Sequence, residues 1–277
     1  MNATIRVGAS TCGLAAGAEA VLSAIEVYVH RRQLPVTIQR TGCLGACHRE
    51  PLVEVIIGGA STLYGPVTPE RVTPLLDQHF GSGARGVAPE RVVSRRRDKS
   101  DYPFLARQLK VTTQLCGVID PYSLDDYLAN GGYQAFQEAL HMPPEQVIQI
   151  IKDSRLRGRG GAGFPTGRKW EITRSSSGSP KYLICNADEG DPGAFMNRTV
   201  IEGDPHRVLE GMLIAAWAIG ASKGYIYVRA EYPLAVRALR NAIAQAQEYG
   251  ATGKNIFGSG MDFEFVIKEG AGAFVCG

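Results

Sequence analysis

The chain has 277 residues, enough for about two domains of ordinary size. Apolar residues make up 44%, as in soluble globular chains that bury real cores, and the net charge of +3 is too small to argue for nucleic acid or a membrane surface. The longest apolar run, Gly211–Ala221, is well short of the ~20 residues of a membrane helix, so no direct membrane insertion is expected.

Met1-Asn2-Ala3-Thr4-Ile5-Arg6 runs straight into patterned sequence, so no secretory leader is expected and the cytoplasm is the expected location. Six cysteines in such a chain favour metal or redox chemistry over structural disulfides. Thr4–Gly8 reads as a strand, Ala15–Arg31 as a helix with Ala16, Ala20, Ile25, Val27 and Val29 on its apolar side, and Val36–Gln39 as a second strand. Leu52–Ile57 is a third strand, and Gly58-Gly59 turns it towards Thr62-Leu63-Tyr64. Thr68 and Pro69 then open a helix to about Phe80. That order suggests a small thioredoxin-like α/β domain over residues 1–85. Cys12, Cys43 and Cys47 fall where its loops are expected, and the three residues between Cys43 and Cys47 let both thiolates reach one metal centre.

Residues 86–101 read as a linker. Gly81–Gly86 is rich in glycine, and Arg91, Arg95, Arg96, Arg97 and Lys99 follow as a solvated, basic connector. From residue 102 to 277 a second domain is expected. Its helices are read at Ser123–Leu128, Pro144–Arg155, Pro205–Ile219 and Pro233–Tyr249, and its strands at Lys181–Cys185, Lys223–Arg229 and Asp262–Ile267. Alternating strands and helices imply a mainly parallel, Rossmann-like sheet with ligands beyond the carboxyl ends of its strands.

Directly after the Pro144–Arg155 helix lies Gly158-Arg159-Gly160-Gly161-Ala162-Gly163-Phe164-Pro165-Thr166-Gly167-Arg168-Lys169-Trp170. Glycines let a backbone come into contact with a flat ligand, and successive N–H groups form an anion site. Arg157, Arg159, Arg168 and Lys169 surround the stretch with positive charge, and Phe164 and Trp170 offer aromatic faces. No Gly-Lys-Ser/Thr ends it, so it is not a P-loop. A tight packing corner is the duller reading, and the clustered cations and aromatics argue against it. Asn186, Asp188, Glu189 and Asp191 form an acidic rim after a strand, suited to hydrogen bonding hydroxyls and amides.

The glycine stretch resembles that of the flavin-binding, NADH-oxidising subunit of respiratory complex I. It also resembles that subunit's soluble relatives, the diaphorase subunits of NAD-linked hydrogenases, formate dehydrogenases and similar reductases. The likeness continues through Cys185–Gly193, Pro205-His206, Glu210-Gly211-Met212, Gly224–Tyr227 and Gly270–Gly277, in order along the second two-thirds of the chain. It implies an FMN- and NAD(H)-binding subunit that exchanges hydride between the two and passes electrons to iron–sulfur subunits of a larger complex. It also implies cofactor contacts from Gly158, Arg159, Gly160, Gly161, Ala162, Gly163, Phe164, Pro165, Thr166, Gly167, Lys169, Asn186, Asp188, Phe274 and Gly277. Glu189 and Asp191 are then the expected catalytic pair at the nicotinamide, with Asp191 standing where many relatives have glutamate. His206 and Cys185 are read as structural.

The amino-terminal part resembles the thioredoxin-like 2Fe-2S domain that accompanies this subunit, in which four thiolates hold the cluster. Only Cys12, Cys43 and Cys47 are present here. The fourth ligand is then Ser10, Thr11, His48 or a residue of another subunit, or the domain is degenerate and serves for docking. Relatives continue beyond Gly277 into a helical domain with a 4Fe-4S cluster, so the chain is read as a fragment. The alternative function is a non-catalytic scaffold or electron relay that has lost flavin.

Overall fold

Ile5 and Val7 are fully buried on one side of the first strand, while Thr4 and Arg6, at the alternate positions, stay half-exposed. This alternation marks a sheet with one covered face. The computed structural model describes residues 3–81, 92–159, 161–191 and 193–272. The chain divides into two compact units, the first Met1–Pro121 with Glu202–Asp204, the second Tyr122–Ile201 with Pro205 onward.

The first unit runs β1 (Ala3–Gly8), α1 (Thr11–Ala15), α2 (Ala18–Arg31), β2 (Val36–Thr41), β3 (Val53–Ile57), β4 (Ala60–Tyr64), α3 (Pro69–Phe80), β5 (Val92–Ser94) and α4 (Pro103–Ala106). Its sheet has the order β2-β1-β3-β4-β5, with β1 parallel to β2 and the other pairs antiparallel. A β-α-β unit followed by an antiparallel hairpin and a helix is the thioredoxin-like arrangement. Val21, Leu22 and Ile25 of α2 and Val72 and Leu76 of α3 close over Ile5, Val7, Val53 and Val55.

Two sequence expectations change here. The helix expected over Ala15–Arg31 begins at Ala18, after Gly17, whose φ of 99° is open to glycine and strained for other residues. Its buried side is Val21, Leu22, Ile25 and Tyr28, while Ala16, Ala20 and Val27 of the expected apolar side are exposed. A separate short helix, Thr11–Ala15, precedes it. Cys12 therefore lies in a short helix rather than in a loop. The expected linker is partly sheet, because Val92–Ser94 pairs with β4, Leu63 facing Ser94. Its basic run is not wholly solvated either. Lys99 is 8% exposed, and its Nζ donates to the Glu54 carboxylate, which is 3% exposed and also accepts from Ser61 Oγ. Arg6 adds a longer contact of 3.6 Å. Lys99→Met is expected to cost about 3–5 kcal/mol, because it leaves a buried carboxylate short of its nearest cation. Urea unfolding checks this, and a loss below ~1 kcal/mol, the range of an exposed pair, would overturn it.

The second unit holds α5 (Leu124–Ala129), α6 (Gln134–Leu140), α7 (Pro144–Asp153), α8 (Thr166–Ser175), β6 (Lys181–Ala187), α9 (Met196–Gly203), α10 (Pro205–Ile219), β7 (Ala221–Val228), α11 (Pro233–Glu248) and β8 (Glu264–Glu269). Its described sheet is β6-β7-β8, parallel throughout, with Asn186 beside Tyr227 and Tyr227 beside Lys268. Ser123 Oγ accepts from the Asp126 N–H at 3.1 Å and starts α5.

Two of the motif residues serve this scaffold. The buried Glu210 carboxylate accepts from Tyr133 N at 2.9 Å, Phe136 N at 3.1 Å and the Tyr127 hydroxyl, tying α10 to the start of α6. His206 is 2% exposed between Tyr133 OH (2.9 Å) and Gln245 Oε1 (3.0 Å), and burial holds its pKa below the usual value. Both are structural, as expected for His206. Trp170 packs into a small core with Val147, Ile148 and Ala218 instead of presenting a stacking face.

Candidate functional site

The glycine stretch is a short two-armed loop between α7 and α8. Gly158 N donates to Phe164 O at 2.8 Å and Thr166 N to Leu156 O at 2.9 Å, and Arg157 Nε closes on Gly163 O at 2.5 Å. Arg157 and Pro165 are paired across the base. Gly161 at the tip has φ of 97°, and a Cβ built on it would meet nothing within 4 Å. Gly167 is different. A Cβ there would lie 2.7 Å from the Lys152 backbone N, so this glycine lets α8 pack against α7.

The loop delivers the chain to the amino terminus of α8. No side chain caps that terminus, no acidic residue stands in its first turn, and Arg168 and Lys169 do. Cations at a helix amino terminus oppose its dipole, whereas an anion there would be held by both. Phe164, Arg168 and Lys169 are exposed. Gly158, Arg159, Gly161, Ala162, Gly163, Phe164, Pro165, Thr166, Gly167 and Lys169 thus share one loop and the helix turn after it. Gly160 is outside the described residues, as are Pro192, Phe274 and Gly277.

The acidic rim follows the carboxyl end of β6, where ligands of parallel sheets gather. Asn186 Oδ1 accepts from Asp188 N at 3.0 Å, a local turn that fixes both. Asp191 is exposed. Glu189, expected beside it as a catalytic residue, is placed otherwise. It is 6% exposed, and its carboxylate accepts from the N–H groups of Met196, Asn197 (3.3 Å) and Arg198 (3.2 Å) and from Tyr232 OH (3.4 Å). Those N–H groups open α9, so Glu189 anchors the rim to a helix amino terminus. Sequence reasoning missed α9 and therefore missed this role. The Arg229 guanidinium reinforces the anchor by donating to Glu189 O. Cys185 precedes the rim at the end of β6, and burial pushes its thiol up to about 11.

The first unit carries the second cluster of chemistry. The sulfurs of Cys12, Cys43 and Cys47 lie within 4.8 Å of one another. Cys43 and Cys47 are 3.5 Å apart, and Gly45 N donates to Cys43 Sγ at 3.2 Å. Burial drives the Cys43 thiol well above its usual range, and the nearby Cys47 and Glu50 add to it. Burial likewise pushes Glu50 up to about 7, against hydrogen bonds from Leu52 N–H and Cys43. A metal reverses that logic, because its charge stabilises thiolates that burial disfavours. Three convergent thiols are a fitting, thiolate-rich donor set. Of the fourth-ligand candidates, Ser10 Oγ is buried without a hydrogen bond, while His48 Nε2 is engaged with Tyr102 OH at 2.9 Å.

Residues 151–277 match the Nuo51 FMN-binding domain. The chain is 57% identical over 171 residues to the NADP-reducing hydrogenase subunit HndC of Solidesulfovibrio fructosivorans, covering 62% of this chain and 35% of the relative. It is 53% identical over 156 residues to the F subunit of the NADH-quinone oxidoreductase of Aquifex aeolicus, covering 56% and 36% respectively. It thus spans about a third of the length of the curated relatives it matches. A crystal structure of NAD+-reducing NiFe hydrogenase aligns over 99% of this chain and 44% of its own, at 24% identity and a TM-score of 0.47. The glycine loop, the rim after β6, the Glu210 anchor and β7 all lie within the matched residues. Among the described residues no helix is long and apolar enough to cross a membrane.

Proposed function

We propose that this chain is the NADH-oxidising, or NAD-reducing, FMN subunit of a multi-subunit oxidoreductase acting in the cytoplasm. The observation that carries the reading is the uncapped amino terminus of α8, with Arg168 and Lys169 in its first turn and a glycine-built loop before it. That arrangement is destabilised by its own charges until an anion binds, and the FMN phosphate is such an anion. When bound, FMN supplies the exchange between two-electron and one-electron transfer. The protein's part is to hold it. Gly158 to Gly167 offer bare backbone to the flavin, Lys169 neutralises charge, and Asn186 and Asp188 accept from hydroxyls. Phe164 stands exposed for adenine stacking, and Asp191 is the rim carboxylate assigned to the nicotinamide. Glu189 keeps the rim in place. Cys12, Cys43 and Cys47 would hold an iron–sulfur centre, a 2Fe-2S cluster on the resemblance, that hands electrons to iron–sulfur partner subunits.

The test is FMN titration of the purified chain followed by anaerobic addition of NADH. Tight flavin binding and bleaching of its absorbance by NADH are expected. Lys169→Ala should weaken FMN by about 1.5–3 kcal/mol, the value of one charged hydrogen bond, or roughly 10- to 150-fold. A folded chain that takes up no FMN would favour the scaffold reading instead.

A further inference from the structure

We propose that Glu202 and Gly203 are positioning residues of the metal centre, Glu202 holding the segment that carries Cys12 and Gly203 the segment that carries Cys43. The inference rests on reading Cys12, Cys43 and Cys47 as a metal centre. Glu202 and Gly203 are the last two residues of α9, yet Glu202–Asp204 pack as part of the first unit. Cys12 sits in α1, whose Ser10 makes no side-chain cap. Glu202 supplies the missing acceptor from 191 residues away. Its Oε2 accepts from Thr11 N at 2.8 Å and its Oε1 from Thr11 Oγ1 at 2.6 Å. The residue is 5% exposed, so little water competes for either bond. Both oxygens accept from Thr11, so this carboxylate serves the neighbour of a cysteine rather than a metal.

The next residue meets the other cysteine segment. A Cβ built on Gly42 would lie 2.4 Å from Gly203 Cα, and one on Gly203 would lie 2.7 Å from Cys116 Sγ. The two backbones therefore touch, and the absence of a side chain at both positions is what lets them. Gly42 directly precedes Cys43, as Thr11 directly precedes Cys12. Two successive residues thus grip the chain just before two of the three sulfurs, which with Cys47 lie within 4.8 Å of one another. A helix as short as α1, five residues, has no stability of its own and takes its place from such contacts. Groups that orient metal ligands without touching the metal are worth a large part of its affinity.

The experiment titrates the full chain anaerobically with two probes. Cobalt(II) reports a metal site through its thiolate absorption. Arsenite reports only the convergence of three thiols, exchanging its hydroxyl groups for sulfurs and releasing water. Thermal unfolding checks the fold of every variant. Glu202→Ala is expected to lower the affinity for both probes about 10- to 100-fold. Glu202→Gln keeps an oxygen for Thr11 N and an N–H for the Thr11 hydroxyl, so it should stay within about fivefold of native, the gap between a charged and a neutral hydrogen bond. Thr11→Ala removes one donor and should weaken both probes about tenfold. Gly42→Ala, which forces Gly203 away from the Cys43 segment, should weaken them about as much as Glu202→Ala. Tyr28→Phe removes the hydrogen bond to Asp77 (2.8 Å) between α2 and α3, and is expected to lower stability with native affinity for both probes. Native affinity in folded Glu202→Ala, or in Thr11→Ala where Glu202→Ala does not fold, overturns the role of Glu202. Native affinity in folded Gly42→Ala overturns that of Gly203. An equal loss in Tyr28→Phe overturns both roles, because general loosening would then explain the effect. Arsenite binding that Glu202→Ala weakens, in a chain that takes up no cobalt, would sink the metal reading and keep the positioning role. A native chain that binds neither probe overturns both.

Discussion

A Gly161→Val chain is expected to fold and to lose its flavin. Gly161 has φ of 97°, where a β-branched residue costs about 1–3 kcal/mol. That cost falls on an exposed loop whose base is held by two backbone hydrogen bonds, Gly158 N to Phe164 O and Thr166 N to Leu156 O. The valine Cβ would meet no protein atom within 4 Å, so the change creates no clash inside the chain. The added methyl groups must instead project into the space that the proposed flavin site leaves open. Overpacking there adds a penalty of about 1–3 kcal/mol, so a fall in FMN affinity on the order of 100-fold or more is expected. Flavin content, NADH–ferricyanide turnover and thermal unfolding measure it together. Full flavin content with unchanged NADH kinetics in a folded Gly161→Val chain would remove the loop from the site.

The second large effect is expected at Glu189. Glu189→Ala removes the acceptor of the Met196, Asn197 and Arg198 N–H groups and of the Tyr232 hydroxyl. Each buried donor left unpaired costs about 1–3 kcal/mol, although some will find water, so a total of about 3–5 kcal/mol is expected. The start of α9 should fray, and the rim carrying Asn186 and Asp188 should loosen with it, raising the FMN dissociation constant. Glu189→Gln keeps one oxygen and is expected to lose about half as much stability. At saturating FMN its turnover should stay within about twofold of the native chain, since a change below RT in barrier height marks a group outside the chemistry. A Glu189→Gln chain with native stability and a tenfold lower turnover would restore Glu189 to the catalytic role that its place in the sequence suggested.

Much of this protein was legible from local pattern. The strand at β1 and the helix run of α10 each lie within one element, so their spacing alone reveals them, whereas the buried side of α2 was read wrongly, with Val21, Leu22 and Tyr28 joining Ile25 in place of Ala16, Ala20 and Val27. Glycines at 161 and 163 announced positive φ, which both have. The Cys43–Cys47 spacing announced convergent sulfurs. Elements without an apolar stripe were missed. In α8 only Gly167 is buried, so periodicity had nothing to register.

The fates of the buried polar groups were not legible, because they depend on partners far along the chain. Lys99 looked like part of a solvated basic run until β5 joined the sheet and brought it to Glu54, 45 residues away. Glu189 looked like a rim carboxylate until α9 began seven to nine residues later and took up its oxygens. Glu50 carried no motif at all, yet its carboxylate lies against Gly8 and Gly13 and interacts with the Cys43 side chain. The sequence by itself determined most of the strands and helices and the glycine-rich loops, since those follow from periodicity and backbone freedom within a few residues. Only the tertiary structure decided which charged groups are buried and what satisfies them, because desolvation is set by whatever the rest of the chain packs around them.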